Sequence, residues 1–387
     1  MSKNDQAIRV LVVDDSVFMR NMLSMMLMKC VGIQVVGTAM NGRDAIAQAL
    51  RTQPDVMTLD IEMPGMNGLE VLDHMMVHDP LPIIMVSALT EEGAEVTLQA
   101  LERGAVDFIA KPMNQDLSGI GAIEELLHAK VLEAFQARFS IHTIRHRGIR
   151  SEAHAYDVSL HVPARDNLMP SMSLVGESPH YKGSETTAMC DFPLAVIGAS
   201  TGGPNLLKAI IRDLPASFPA ALLIVQHMPK FFTKVFAENL DALASFSIRE
   251  AQNGDELQVG MGFVVPGDHH MRVTRTSDGR AILTIESESQ DLPYRPSIDC
   301  AMVSAAEQFG QSTVGLVLTG MGNDGLVGSQ KIKACGGRVL VQNEATSLIY
   351  GMPRAVAEAG VADAVLPDVQ LGGALVKAVD SVCVVNR

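Results

Sequence analysis

The chain has no tryptophan, only 4% aromatic residues and only five cysteines among 387 residues. So few aromatics leave little material for the stacking platforms that bind single-stranded nucleic acid. A formal net charge of −14 argues the same way, because neutralising phosphates needs a basic face. Cys30, Cys190, Cys300, Cys335 and Cys383 are scattered, odd in number and without C-x-x-C spacing, so they read as thiols of a reducing compartment rather than metal or redox ligands. No apolar run approaches the roughly 18 residues that a membrane span requires. The early apolar patch Val10 to Val13 is cut at once by Asp14 and Asp15, which a signal-peptide core would not tolerate. The expectation is a soluble cytoplasmic protein that neither binds nucleic acid nor inserts into a membrane, and whose length suits two domains.

What is present is a repeated alternation of β-branched runs and helical spacing. "IRVLVV", "IQVVGTA", "VMTLDI", "LPIIMVS" and "DFIAKP" are separated by amphipathic stretches. Such runs, bounded by turn residues, indicate βα units on a parallel sheet covered on both faces. A doubly wound five-stranded domain over 1–139 follows. Its methionine-rich segment, Met19 to Met28, reads as core packing. Periodicity fades over 140–191, where His142, His146, His154, His161 and His180 are mixed with Ser, Pro, Glu and Arg. Their spacing fits no common ligand set, so the segment reads as a solvated interdomain linker. Strands return over 192–387 as "PLAVIGA", "AALLIVQ", "GFVVPG", "TVGLVLTG" and "RVLVQ". With a hairpin signal at Asp278-Gly279, the second domain reads as α/β with a mainly parallel sheet and an antiparallel hairpin extension.

In the first domain Asp14 and Asp15 follow the first strand, Asp60 ends the third, Ser87 the fourth, and Lys111 follows the fifth. In a doubly wound sheet these ends converge on one edge. Three carboxylates in one pocket call for a hard cation, and Mg²⁺ with oxygen ligands suits them. Any one Asp alone would be better read as a helix cap. Together with a hydroxyl and a lysine they suit phosphoryl transfer to a carboxylate. "VLVVDDS", "LDIEMPGMNGLE", "IIMVSALT" and "GAVDFIAKP" make residues 8–130 resemble a response-regulator receiver domain. That resemblance implies phosphorylation of Asp60, Mg²⁺ held by Asp14 and Asp15 with Asp60, and phosphoryl contacts from Ser87 and Lys111. Phe108 stands where the family often has a switching aromatic residue.

In the second domain "LAVIGASTGGP", Leu194 to Pro204, runs a strand into a serine boxed by glycines and then into the helical "GPNLLKAIIRDL". A tight turn, a phosphate cradle and a raised nucleophile all use such glycines. The cradle reading lacks a full G-x-G-x-x-G and a P-loop lysine. G-x-S-x-G in a strand-turn-helix context favours the nucleophile, Ser200, with the Thr201 N–H and the helix start facing an oxyanion. A nucleophilic serine needs a base and an orienting partner. His227 ends the next strand and Asp324 lies in "GLVLTGMGNDG" after another. His269 and His270 are rival bases, read instead as a turn before the hairpin, with His270 near the site.

"VIGASTGGP", "QHMP", "FAENL", "VVPGDHHM", "RPSID", "TGMGNDG" and "QNEATSLIYGMP" make residues 193–366 resemble the catalytic domain of the chemotaxis protein-glutamate methylesterases. The resemblance implies Ser200 as nucleophile, His227 as base, Asp324 as its orienting partner, and Thr201 and Met321 beside the oxyanion. It implies demethylation of glutamate γ-methyl esters, and deamidation of certain glutamines, on chemoreceptors. It also implies no cofactor for the hydrolysis, a chemotaxis histidine kinase as phosphodonor, and a receiver that blocks Ser200 until phosphorylated. The linker is longer than the family's usual one. Two other readings compete on the residues alone. One is a receiver joined to a non-catalytic phosphate-binding module. The other is a receiver-driven transcription factor, which the acidic charge and missing helix-turn-helix disfavour.

Overall fold

The computed structural model describes residues 7–111, 120–147, 192–286 and 294–383. The first part alternates β1 (Ile8–Val13), α1 (Val17–Lys29), β2 (Ile33–Ala39), α2 (Gly42–Thr52), β3 (Val56–Asp60), α3 (Gly68–His78), β4 (Ile83–Ser87), α4 (Glu91–Glu102), β5 (Asp107–Ala110) and α5 (Ile120–Arg147). The strands pair in parallel in the order β2-β1-β3-β4-β5. Every residue of β3 and β4 is buried, as helices on both faces require. The order reverses between β1 and β3, and this switch point opens the crevice into which Asp14 and Asp60 project.

One expectation about this part needs correction. The methionines of α1 are not all core: Leu23, Met26 and Leu27 are buried, while Met25 and Met28 are more than half exposed. Successive helical residues turn by about 100°, so a run this dense cannot all face the sheet. Helix α5 runs past Phe139 to Arg147, into the segment that reads as linker. Leu127, Val131 and Ala134 form its buried stripe. The apolar period fades in the sequence beyond it although the helix persists, which is why His142 and His146 read as linker. His154, His161 and His180 lie outside the described residues.

The second part contains β6 (Leu194–Ala199), α6 (Gly203–Asp213), β7 (Ala221–Gln226), α7 (Phe232–Asp241), β8 (Ser247–Glu250), β9 (Met261–Val264), β10 (His270–Arg275), β11 (Ala281–Glu286) and α8 (Ile298–Phe309). It continues with β12 (Thr313–Val317), α9 (Leu326–Ala334), β13 (Arg338–Gln342), α10 (Met352–Glu358), β14 (Ala364–Leu366) and α11 (Asp368–Cys383). Its main sheet is parallel throughout, in the order β14-β13-β12-β6-β7-β9-β8. The expected antiparallel hairpin is present as β10-β11, which forms its own two-stranded sheet. Gly279 turns the hairpin at φ +89°, and Ser304 of α8 accepts from the Val273 N–H at 3.0 Å, fastening it to the helix. The strand order sets β12, β6 and β7 side by side, so the loops leaving them meet at one edge.

That edge faces the first part. Ile349 of the second part is buried in one cluster with Val106, Ile109, Leu127 and Val131 of the first, and Met321 and Leu348 pack against it. The Phe108 ring stacks on Phe232 at the start of α7, with centroids 4.3 Å apart. The Asn205 amide donates to the Leu101 carbonyl at 2.7 Å, and Lys208 pairs with Glu102.

Candidate active site

The serine turn has steric reasons for its glycines. A Cβ on Gly198 would come within 2.4 Å of Ile298, and Gly202 adopts φ +81°, a conformation that side-chain-bearing residues rarely take. Between them Ser200 donates its N–H to the Thr319 carbonyl at 3.0 Å and accepts from Gly203 N–H at 2.8 Å. These bonds fix the serine between the ends of β6 and β12. Its Oγ makes no hydrogen bond among the described residues.

His227 follows β7 and is held by its backbone, the N–H donating to the Ala199 carbonyl at 3.0 Å. Its Nε2 lies 2.9 Å from Asp324 Oδ2. Asp324 stands at the N-terminal end of α8, where Oδ2 accepts from Ile298 N–H at 2.8 Å and Oδ1 from Asp299 N–H at 2.9 Å and Gly325 N–H at 3.1 Å. The Ser297 hydroxyl adds a fourth contact at 3.2 Å. Burial alone would raise this carboxyl, but the bond to His227 and the backbone donors outweigh it and hold the group below its ordinary range. Such a carboxylate keeps its charge and fixes the imidazole, leaving Nδ1 as the ring nitrogen available for proton transfer.

Ser200 and His227 lie on the wall of one cavity of about 800 Å³, together with Gln226 and Thr319. Asp324 is not on that wall and contacts His227, which is. Ser200 Cβ is close enough to Gly320 to exclude any side chain there, which brings Met321, the next residue, near the serine. The N–H groups of Thr201 and Met321 donate to no hydrogen bond among the described residues. Two unspent donors beside a serine are what a developing oxyanion requires. His270 is not on the cavity wall; it is buried at the head of β10, both ring nitrogens unpartnered. Burial and then Arg295 push its ring below the usual histidine range. The other rival, His269, is turned back onto the Gly267 carbonyl at 2.8 Å.

Two neighbours were not foreseen. Tyr294 stacks on His227 with rings 9° from parallel and centroids 4.6 Å apart. The buried Gln226 amide donates to the carbonyls of both Ser200 (3.0 Å) and His227 (3.3 Å), tying nucleophile and base together through one side chain. An aromatic residue just before "RPSID" gave no periodic signal. Gln226 did offer one, as an uncharged polar residue ending the otherwise apolar run "ALLIV".

The first part lies directly over this site. Thr201 Oγ1 contacts the carboxylates of Asp107 and Glu133 and accepts from Lys130 Nζ at 3.1 Å. Lys130 itself pairs with Asp107 at 2.5 Å and Glu133 at 3.4 Å. Burial works against the ammonium, but the two carboxylates prevail and hold it charged.

Elsewhere in the same part, Asp14, Asp15 and Asp60 place carboxylate oxygens within 4.8 Å of one another. Lys111 bridges Asp60 Oδ1 (2.7 Å) and Asp14 Oδ2 (3.4 Å). Asp14 Oδ2 and Asp60 Oδ2 are buried without a hydrogen bond, which suits a cation bound by oxygen. Burial raises both carboxyls, Asp60 to about 6, despite Lys111. Ser87 lies apart from this bridge, its hydroxyl donating to the Gly93 carbonyl at 3.1 Å.

Residues 10–118 match the response regulator receiver domain, and residues 195–375 match the CheB methylesterase domain. A protein-glutamate methylesterase/protein-glutamine glutaminase of Pyrococcus abyssi is 39% identical over 99% of this chain and 96% of its own. One from Oleidesulfovibrio alaskensis is 41% identical over 96% of this chain and 99% of its own. The solved CheB methylesterase catalytic domain of Thermotoga maritima is 38% identical, covering 48% of this chain and 98% of that one with a TM-score of 0.47. The two domain matches, in this order, and relatives 39–41% identical over nearly the whole chain place it in the family of CheB protein-glutamate methylesterase/protein-glutamine glutaminases.

Proposed function

We propose that the chain removes methyl groups from glutamate γ-methyl esters of chemoreceptors, and deamidates certain glutamines there, with Ser200, His227 and Asp324 as the reacting set. The observation that carries this reading is the saturated Asp324 carboxylate holding His227 by Nε2, on the same cavity wall as a serine whose Oγ is uncommitted. Ser200 Oγ attacks the side-chain carbonyl carbon while His227 Nδ1 accepts its proton. The carbonyl oxygen becomes an oxyanion that the Thr201 and Met321 N–H groups stabilise. Collapse expels methanol, or ammonia from a glutamine, with the proton returned by His227. Water then enters by the same route in reverse roles and releases the glutamate.

Control is assigned to the receiver. Asp60 is the phosphoacceptor, supplied by a chemotaxis histidine kinase, and Asp14, Asp15 and Asp60 would hold Mg²⁺. The ion would supply charge neutralisation for the phosphoryl oxygens. Strand β5 links the two sites: it begins at Asp107 on Thr201, carries Phe108 against Phe232, and leads into Lys111 on Asp60. A phosphoryl group on Asp60 draws Lys111 and Ser87 toward it, and the pull along β5 loosens the contact on Thr201. Substrate helices then reach Ser200.

The test is methanol release from methyl-labelled receptor membranes. Ser200→Ala is expected to abolish it, a loss on the order of 10⁶-fold, with an unchanged circular dichroism spectrum. Near-normal turnover by that variant would refute the assignment.

A further inference from the structure

The contact between the two parts is incomplete. Thr201 is clamped and Phe108 is stacked, yet the cavity of about 800 Å³ remains between them. Its wall comes from both sides: Met76, Arg103 and Phe108 from the receiver, Ser200, Leu206 and His227 from the hydrolase. Ser200 is 6% exposed. Its Oγ, although without a hydrogen bond among the described residues, is not one of the polar atoms sealed from solvent, so the small exposed fraction includes the reacting oxygen. A receptor helix with side chains is about 10–12 Å across and cannot enter a gap bounded by these contacts. A small molecule occupies a few hundred Å³ or less and can.

We infer that the receiver excludes substrates by size, and that the closed, unphosphorylated enzyme hydrolyses small carboxylic esters through this interdomain cavity. The inference rests on Ser200 being the nucleophile. Ser200 Oγ forms a bond to the ester carbonyl carbon, the alkoxy or aryloxy group leaves with the proton held by His227, and water cleaves the acyl-serine to the free acid. No oxidant or further reactant is needed. The apolar side chains of Leu206, Met228 and Phe108 on the wall offer a surface for short acyl chains with an aromatic or alkyl leaving group.

The experiment uses the full chain with p-nitrophenyl acetate, subtracting the rate of Ser200→Ala. A Ser200-dependent rate is expected without phosphodonor, changing less than about threefold when phosphoramidate and Mg²⁺ are added, while methanol release from receptor membranes rises more than about tenfold. Ala209→Trp, which projects an indole into the cavity from α6, is expected to lower the unphosphorylated ester rate at least about threefold with an unchanged melting curve. An ester rate that is absent until phosphorylation and then rises in parallel with methanol release overturns the inference and leaves the methylesterase reading standing. Methanol release that survives Ser200→Ala overturns that reading instead. Ala209→Trp with a normal ester rate rules out the cavity as the route.

Discussion

Asp60 and Asp324 are buried almost equally, 1% and 4% exposed, at the C-terminal edges of two parallel sheets, yet their carboxyls are pushed in opposite directions. Burial acts on both in the same sense, so it cannot be the cause of the difference. Five donors converge on Asp324: His227, the Ser297 hydroxyl and the N–H groups of Ile298, Asp299 and Gly325. Asp60 has Lys111 and the Glu62 N–H, both on Oδ1, and its Oδ2 has none. A completed shell makes an anion that stays fixed and orients a neighbour. An incomplete one makes an oxygen that still seeks a cation or a bond, which suits a phosphoacceptor.

The largest expected effect comes from removing the charge of Asp324. Asp324→Asn keeps the volume but offers an NH₂ to donors, and it no longer stabilises a protonated His227. A fall in kcat of about 10³–10⁴-fold is expected, with KM changed far less, measured as methanol release. A loss below tenfold would mean that the orienting anion is elsewhere.

Next in size is the effect at Asp60. Asp60→Asn removes the acceptor while leaving the hydrolase residues untouched, so basal methanol release stays and stimulation by phosphoramidate with Mg²⁺ vanishes. The stimulation lost is expected to be roughly 5- to 150-fold, the usual range for coupling between sites. Undiminished stimulation of the variant would separate control from this carboxylate.

The unequal shells also explain what could be read from the residues alone. Asp14, Asp60, Ser87 and Lys111 each end or follow an apolar run, so the pattern of the strands placed them on one edge before any coordinates. Ser200, His227 and Asp324 were legible for the same reason. What stayed silent was the completion of each shell. Three of the five donors of Asp324 are backbone N–H groups, those of Ile298 and Asp299 at the start of α8 and of Gly325 just before α9, and backbone carries no sequence signature. Tyr294 reaches His227 across a long separation, and the Asp107–Glu133–Lys130 clamp on Thr201 depends on how two parts dock. Local periodicity encodes neither. The overlong α5 shows the converse: where the apolar period faded, the pattern reported a linker although the backbone remained helical.

The smallest expected effect is on the pH dependence of stability. Asp324 has a folded-state value below its ordinary 3.8, so its stabilising contribution is complete above 3.8 and is lost as pH falls through the folded value. Asp60 is raised from 3.8 to about 6, so its ionisation opposes folding. In the metal-free protein the contribution of Asp60 to stability therefore falls as pH rises from about 4 to about 6 and stays at its lower level above. In EDTA at pH 7.5, Asp60→Asn is expected to gain about 1–2 kcal/mol, less than the shift alone would allow because Lys111 loses one of its two carboxylate partners. That gain should disappear below pH 4. Asp324→Asn should instead lose stability at pH 7.5, with the loss shrinking only below pH 3.8. Urea unfolding of both variants across this range checks the signs. Two changes of the same sign at pH 7.5 would mean that donor number does not separate the two aspartates. The orphaned Oδ2 of Asp60 would then owe its state to burial alone.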